Sequence, residues 1–191
     1  MNLYMALMVF SGVLSVVALV PYARSIIKGE TKPAKATWLI WAILDTMVFA
    51  GMLAEGTLNG QMPGVIVGTW VVLALAMKYG TPGWTRLDKL CLGATSIGIV
   101  LWLVFNNPVW SIVVALSVMS VGSAPTFVST WRDYTRENKL AWTLVFVSSV
   151  AAVLAIPGKW TLANAAQPIV FLAISVVMMF LLHIKPKLSV M

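Results

Sequence analysis

The sequence predicts an all-α membrane protein with seven transmembrane helices, arranged as two parallel three-helix repeats joined by a linker helix. Three observations lead to this prediction: a low content of charge, the spacing of apolar segments, and an internal repeat. Of the 191 residues, 60% are hydrophobic and 10% are charged, and the mean hydropathy is +0.93. A soluble domain of this length needs more charge on its surface. Lipid is therefore the expected solvent for most of the chain.

Apolar segments recur along the whole chain, and each can supply the roughly 20 helical residues that cross the hydrocarbon of a bilayer. The alternating pattern of a transmembrane barrel strand is absent. The first segment lacks a basic start and a small-residue cleavage site, so we expect a helix there and not a signal peptide. The predicted helices cover about 3–27, 36–54, 58–79, 87–105, 108–130, 139–157 and 162–184.

The basic residues predict the orientation of these helices. With seven spans, twelve of the thirteen Lys and Arg residues fall on one side, and only Lys159 falls on the other. The positive-inside rule makes the crowded side cytoplasmic, with the N-terminus outside and the C-terminus inside. The expected location is the inner (plasma) membrane of a bacterium. The twelve are Arg24, Lys28, Lys32, Lys35, Lys78, Arg86, Lys89, Arg132, Arg136, Lys139, Lys185 and Lys187.

This charge predicts a lipid partner. The net charge is +7, which in a soluble protein would suggest nucleic acid. Because the basic residues lie in loops between apolar helices, we expect them to bind anionic lipids on the cytoplasmic side, and no nucleic acid.

An internal repeat becomes visible when the chain is shifted by 104 residues. Pro21, Ser25, Thr31, Lys35 and Trp38 then fall on identical residues. Their partners are Pro125, Ser129, Thr135, Lys139 and Trp142. Each repeat contains three helices, so two repeats joined directly would be inverted in the membrane. The fourth helix restores the direction, which predicts a first repeat at 1–80, a linker helix at 81–106 and a second repeat at 107–191.

This layout resembles the SWEET and PQ-loop superfamily of small transporters, in which parallel repeats are known. The resemblance rests on Pro21 and Pro125, each followed by a basic loop with a central Thr and then an aromatic-led helix. The chain is also similar to a group of bacterial membrane proteins with a Gly-x-Thr-Lys-Pro loop, here 29–33. The Pro-Gln dipeptide of PQ-loop proteins is replaced by Pro-Tyr and Pro-Thr.

The resemblance implies a transporter that moves a small solute, such as a sugar or a similar polar metabolite, by alternating access between the two units. Pro21 and Pro125 interrupt helical hydrogen bonding and would be matching hinges. The resemblance also leaves room for a homo-oligomer. Two alternatives stay open: a proton-coupled carrier of an amino acid or vitamin precursor, and a receptor or scaffold on the same fold.

Asp45 is the strongest single candidate for a binding residue. It lies near the middle of the second predicted helix, where an exposed charge would cost about 3 kcal/mol or more. We expect it to face the bundle interior and to bind a solute hydroxyl, an amine or a proton. The alternative is a carboxyl that packs against a neighbouring helix. The repeat places Ser149 at the same depth.

Tryptophans accompany this polar pair. Trp41 lies one turn from Asp45 on the same helical face and is a candidate to stack on the solute. Trp38 and Trp142 open their helices, which predicts an interfacial aromatic belt. Trp70, in the third helix, either lines a pocket or packs.

Amides complete the candidate set. Asn59 and Asn164 occupy matching places at the starts of the third and seventh helices, where SWEET proteins hold substrate with Asn. Helix capping is the competing interpretation. Gln167 lies deeper. No cofactor, metal site or enzymatic activity is predicted, because the sequence has one His, one Cys, and neither paired carboxylates nor a phosphate loop.

Overall fold

The structure is a computed structural model that describes residues 2–81, 84–105, 107–156, 158 and 160–184. The all-helical prediction is confirmed, and within these ranges no strand occurs. A 3-10 turn spans Tyr134–Arg136 and a π-helical turn spans Phe180–Ile184. The α-helices are α1 (Leu3–Ile27), α2 (Lys35–Ala54), α3 (Gln61–Tyr79), α4 (Arg86–Phe105), α5 (Pro108–Gly122), α6 (Ala124–Arg132), α7 (Lys139–Leu154) and α8 (Leu162–Met179).

Side-chain caps explain where several of these helices begin. Asn2 accepts a hydrogen bond from the Met5 amide at 2.9 Å, and Asn138 accepts one from the Ala141 amide at 2.8 Å. Such caps satisfy amides that the first helical turn leaves unpaired. At the other end of α1, Gly29 has a φ of 74°, a left-handed conformation that glycine adopts without strain.

The predicted helix at 108–130 is divided in two by a turn at Ser123, just before Pro125. Proline has no amide hydrogen, so Pro125 cannot donate to the carbonyl of Val121, four residues earlier. The Cys91 thiol of α4 donates to this carbonyl instead, with an Sγ–O distance of 3.6 Å. The buried cysteine therefore packs against the interruption that Pro125 creates.

Six of the helices form a closed ring. Helix α1 packs against α3 and α7, α2 packs against α3 and α5, and α8 packs against α5 and α7. In the first half of the chain α3 thus lies between α1 and α2, and in the second half α8 lies between α5 and α7. Helix α4 packs mainly on α5, outside the ring.

Five helical segments are long and apolar enough to cross a membrane, which fits an integral membrane protein. The search covered the described residues only. Helix α7 is apolar but has 16 residues, about 24 Å of helix, and α4 is not among the five. Seven spans therefore stay a prediction. The five segments are Leu3–Ile27, Lys35–Ala54, Gln61–Tyr79, Pro108–Arg132 (α5 and α6 taken together) and Leu162–Ile184 (α8 with the π-helical turn).

The orientation in the membrane also stays a prediction. Three of the residues on which it rests, Lys159, Lys185 and Lys187, lie outside the described residues.

The surface of α1 is consistent with contact to lipid. Val13 is 54% exposed and Val20 is 65% exposed, and apolar side chains at such exposure suit a hydrocarbon solvent.

The two basic loops meet at equivalent positions. The amide of Lys32 donates to the carbonyl of Arg136 at 3.0 Å, and the 104-residue shift places Lys32 on Arg136. The loops that follow α1 and α6 are therefore joined through their backbones at one end of the ring.

Candidate functional site

A cavity lies inside the ring, and all six ring helices contribute to its lining. Its volume is about 110 Å³, which is smaller than the roughly 300–1,000 Å³ of sites for drug-sized molecules, so the cavity suits only a small ligand. The lining is mostly apolar, and its side chains with polar atoms are those of Ser15, Tyr22, Trp38, Trp41, Asp45, Gln61, Thr69, Trp142 and Ser148.

Asp45 lines this cavity and is only 1% exposed. The Thr69 hydroxyl lies beside its carboxyl, but this hydroxyl also bonds to the Ile66 carbonyl at 3.2 Å. Oδ1 of Asp45 has no hydrogen-bond partner among the described residues. A buried acceptor without a donor costs about 1–3 kcal/mol, and more if it is charged. The sequence-based expectation that Asp45 faces the bundle interior agrees with this position.

Four aromatic rings form a continuous cluster at the end of the cavity nearest the basic loops. We call Tyr22, Trp38, Trp41 and Trp142 the aromatic cluster. Ring centroids are separated by 5.3 Å for Tyr22–Trp38, 5.1 Å for Trp38–Trp41 and 6.1 Å for Trp41–Trp142. Both Trp–Trp pairs meet edge to face at 72°, a favourable arrangement of aromatic quadrupoles.

The expected interfacial belt is wrong for Trp38 and Trp142. They are 8% and 5% exposed, and both line the cavity. The pattern at the helix starts did not distinguish a membrane-facing ring from one turned into the bundle, because α2 and α7 pack on both flanks. Trp41 lines the cavity as well.

Two indole N–H groups of the aromatic cluster have no acceptor among the described residues. They belong to Trp38 and Trp41, and the Tyr22 hydroxyl lies near the Trp38 group without completing a hydrogen bond of good geometry. An indole nitrogen is a donor only, and a buried one normally finds a partner. Together with Oδ1 of Asp45, these groups give the cavity two donors and one acceptor that the described protein atoms do not satisfy.

Glu137 was missed by the sequence interpretation. It lies between the 3-10 turn and α7, is 6% exposed, and accepts hydrogen bonds at Oε2 from Tyr22 Oη at 2.6 Å and from Trp142 Nε1 at 2.9 Å. Burial raises its pKa to about 7, while these two hydrogen bonds act in the opposite direction. Its position in a charged loop suggested exposure, and no sequence signal marked it. Glu137 joins α1 to the start of α7 at the cavity end.

Polar side chains form a second cluster at the opposite end of the cavity. Gln61 Nε2 donates to Ser148 Oγ at 3.0 Å and to Ser149 Oγ at 3.1 Å, and Gln61 Oε1 accepts from Gln167 Nε2 at 3.1 Å. Ser11 bonds the Ser148 carbonyl at 2.9 Å. We call these five residues the Ser–Gln network. The network joins α1, α3, α7 and α8. The sequence did not reveal it as a unit, because its members are far apart in the chain.

Ser149 and Gln167 lie behind the cavity lining, and the other two amide candidates, Asn59 and Asn164, lie outside it as well. Asn59 Oδ1 accepts from the amides of Gln61 and Met62, both at 3.1 Å, so Asn59 caps α3, while its Nδ2 donates to Gln167 at 2.5 Å. Asn164 forms a capping box with Thr161 at the start of α8. Both observations fit the capping interpretation.

Trp70 and the two prolines take distinct positions. Trp70 is 48% exposed and donates to Thr46 Oγ1 at 3.1 Å, on the outside of the ring. Pro21 lies within the continuous helix α1, whereas Pro125 is the second residue of α6, just after the interruption that follows α5. The two prolines thus occupy different local structures.

Comparisons with family models, curated proteins and solved structures found no match for this chain. The site is therefore interpreted from its own chemistry. Among the described residues, no group of three or more His, Cys, Asp or Glu side chains is placed to hold a metal ion.

Proposed function

We propose that the protein is a SWEET-like membrane transporter that moves a small solute through the ring of helices. In this proposal α1–α3 are one three-helix unit, and α5 continued by α6, α7 and α8 are the other. Helix α4 is the linker, and all seven predicted helices span the membrane. The N-terminus lies outside and the C-terminus in the cytoplasm of a bacterial cell. Sugars and similar polar metabolites are the first solutes to test.

The observation that carries the proposal is the cavity between the two units, with an unpartnered carboxylate oxygen at its wall. All six ring helices line it. A packed bundle that served only as a scaffold would fill this space with side chains and would pair Asp45. Transporters that work by alternating access also bind their solute between two units.

The two ends of the cavity supply the contacts that would open in turn. At the end near the basic loops, Glu137 bonds Tyr22 of α1 and Trp142 of α7. At the opposite end, the Ser–Gln network connects α1 and α3 with α7 and α8. The hydrogen bonds of Glu137 and those of the Ser–Gln network each connect one unit to the other. A rocking motion of the units about the cavity would therefore break the hydrogen bonds at one end while those at the other end stay intact.

A proton-coupled carrier is the second candidate, and Asp45 favours it. A buried carboxyl without a strong partner can bind either a proton or a solute, and competition between the two would couple their movements. Such a carrier would transport an amino acid or a vitamin precursor on the same fold.

The test is solute flux into proteoliposomes, with and without a pH gradient, for wild type and Asp45→Asn. The panel contains neutral sugars, amino acids and vitamin-like amines. Flux that changes neither with the pH gradient nor with the Asp45→Asn substitution indicates a facilitator. Flux that is driven by the gradient and abolished by Asp45→Asn indicates the proton-coupled carrier. Correctly folded protein that moves no member of the panel would contradict transport and favour a receptor or scaffold.

A further inference from the structure

We infer that the solute held in the cavity is a small organic cation that also carries a hydrogen-bond acceptor. This inference rests on the proposed function for its site, and it specifies the chemical class of the ligand. Three features of the lining support it: the unpaired acid, the aromatic faces and the unpaired indole donors.

The first feature is that the acid has no cationic partner in the described part of the chain. Within that part, no Lys, Arg or His side chain lines the cavity. The ion pairs found within the described part of the chain, Lys28–Glu30 at 3.7 Å and Arg136–Asp133 at 3.1 Å, lie in the loops. A buried carboxylate is stable only when it is paired or protonated. A cationic ligand would supply the missing charge at Oδ1 of Asp45.

The second feature is the aromatic cluster beside this acid. Trp faces attract cations, because the ring quadrupole is negative above its plane. Trp41 lies one helical turn from Asp45 on α2, and its ring is tilted by 72° to both Trp38 and Trp142. Rings at this angle form adjoining walls around a compact group. An ammonium or a charged heterocycle can therefore contact the carboxylate and an aromatic face at once.

The third feature limits how polar the remainder of the ligand is. Gln61, Ser148 and Ser15 already bond to other protein atoms. The lining groups without a partner among the described residues are Oδ1 of Asp45 and the N–H groups of Trp38 and Trp41. A sugar with five hydroxyls would leave most of them unpaired in an apolar space, which is unfavourable. A cation with one or two acceptor atoms matches one acidic acceptor and two indole donors.

The test compares charged and neutral ligands of the same shape. Choline and 3,3-dimethyl-1-butanol differ in charge at one atom, and protonated 2-dimethylaminoethanol and 3-methyl-1-butanol give a second pair; glucose is the sugar reference. Binding to purified protein in detergent is measured by quenching of tryptophan fluorescence and by calorimetry. We expect at least one cation to bind 10-fold or more tightly than its neutral counterpart, and glucose to bind more weakly than either.

Variants then locate the effect. Asp45→Asn should reduce the preference for the cation to less than 2-fold. Glu55→Gln, which removes an exposed acid just after the same helix, should leave the preference unchanged. Equal binding of both members of each pair to wild type, or no binding by any cation, would overturn the inference without any variant. A preference that survives Asp45→Asn would overturn it also.

Failure of this inference can be separated from failure of the proposed function. A cation that binds but does not cross proteoliposomes supports the ligand class and contradicts transport. Flux of a neutral sugar without preferential cation binding supports transport and contradicts the ligand class.

Discussion

The hydroxyl of Tyr22 donates a hydrogen bond of 2.6 Å to Oε2 of Glu137, which joins the last turns of α1 to the loop that precedes α7. The two residues are 115 positions apart in sequence. Trp142 donates to the same oxygen at 2.9 Å, so one carboxyl connects the first unit to the aromatic wall of the cavity. The charge of this carboxyl is therefore important for stability.

Stability should fall as the pH rises through the range in which Glu137 titrates. Burial raises the pKa of Glu137 from 4.5 to about 7, so between these values the folded protein keeps a proton that the unfolded chain has released. The contribution is fully present below pH 4.5 and is lost as the pH passes 7. The difference between the pKa of Glu137 in the folded protein and in the unfolded chain corresponds to about 3 kcal/mol of unfolding free energy. The measurement is Tm in detergent from pH 4.5 to 8.5.

Glu137→Gln should remove this part of the pH dependence, because the amide does not ionise. Glu30→Gln, at a side chain that is 63% exposed, is the control and should follow wild type. The other titratable side chains are common to all three proteins, so the comparison isolates Glu137. An unchanged decline in Glu137→Gln would show that another group causes it.

A disulfide between α1 and α7 should stop transport. The hydroxyl oxygens of Ser11 and Ser148 are 3.3 Å apart, so cysteines at these positions face each other at the Ser–Gln network. In a Cys91→Ala background, oxidised Ser11→Cys/Ser148→Cys should lose flux, and a reductant should restore it. The ligand should still bind, because the pair lies at the end of the cavity opposite the aromatic cluster. If the protein is fully cross-linked and the flux is undiminished, the Ser–Gln end of the cavity does not open during transport. The control is the single substitution Ser148→Cys in the same background.

Gln61→Leu should destabilise the protein by about 1–3 kcal/mol, because buried polar groups lose a partner. Gln61 forms hydrogen bonds with Ser148, Ser149 and Gln167, so its loss affects the three helices α3, α7 and α8. Asn164→Ala removes a capping box instead and should cost about 1 kcal/mol without a change in ligand binding. Chemical denaturation in mixed micelles measures both. Equal effects of the two substitutions would argue against a central role for the network.

Gly12→Ala should be destabilising, since a Cβ on Gly12 would approach the carbonyl oxygen of Gly60 to 2.5 Å. The obstacle is backbone, so α1 and α3 must separate, at a cost of about 1–3 kcal/mol. Gly93→Ala is the matched control, because a Cβ there meets nothing within 4 Å. This substitution should be neutral or stabilising by up to about 1 kcal/mol. A Gly12→Ala protein as stable as wild type would contradict this close helix contact.

Local patterns predicted the helices well, because each one needs a continuous apolar run and a cap or a glycine at its ends. Asp45 was predicted to face inward for the same reason, since its cost in lipid depends only on its depth. The turn at Ser123 was missed, although Pro125 was noted, because a kink and an interruption have the same local sequence signal.

Contacts between distant segments were not predictable in this way. Glu137 looked like an exposed loop residue, and its burial depends on Tyr22 and Trp142 from two other helices. Trp38 and Trp142 carry the signature of a membrane interface, yet the way α2 and α7 pack turns them inward. The pairing of Gln61 with Gln167 likewise depends on which helices are neighbours in the ring.

The bond between the Lys32 amide and the Arg136 carbonyl has one further consequence. It uses backbone atoms only, so every side chain except proline at position 32 preserves it. The basic side chains of both loops can thus vary while the connection persists. In the proposed cycle, opening of the end nearest the basic loops must therefore either break this bond or turn about it, because Lys32 and Arg136 belong to different units.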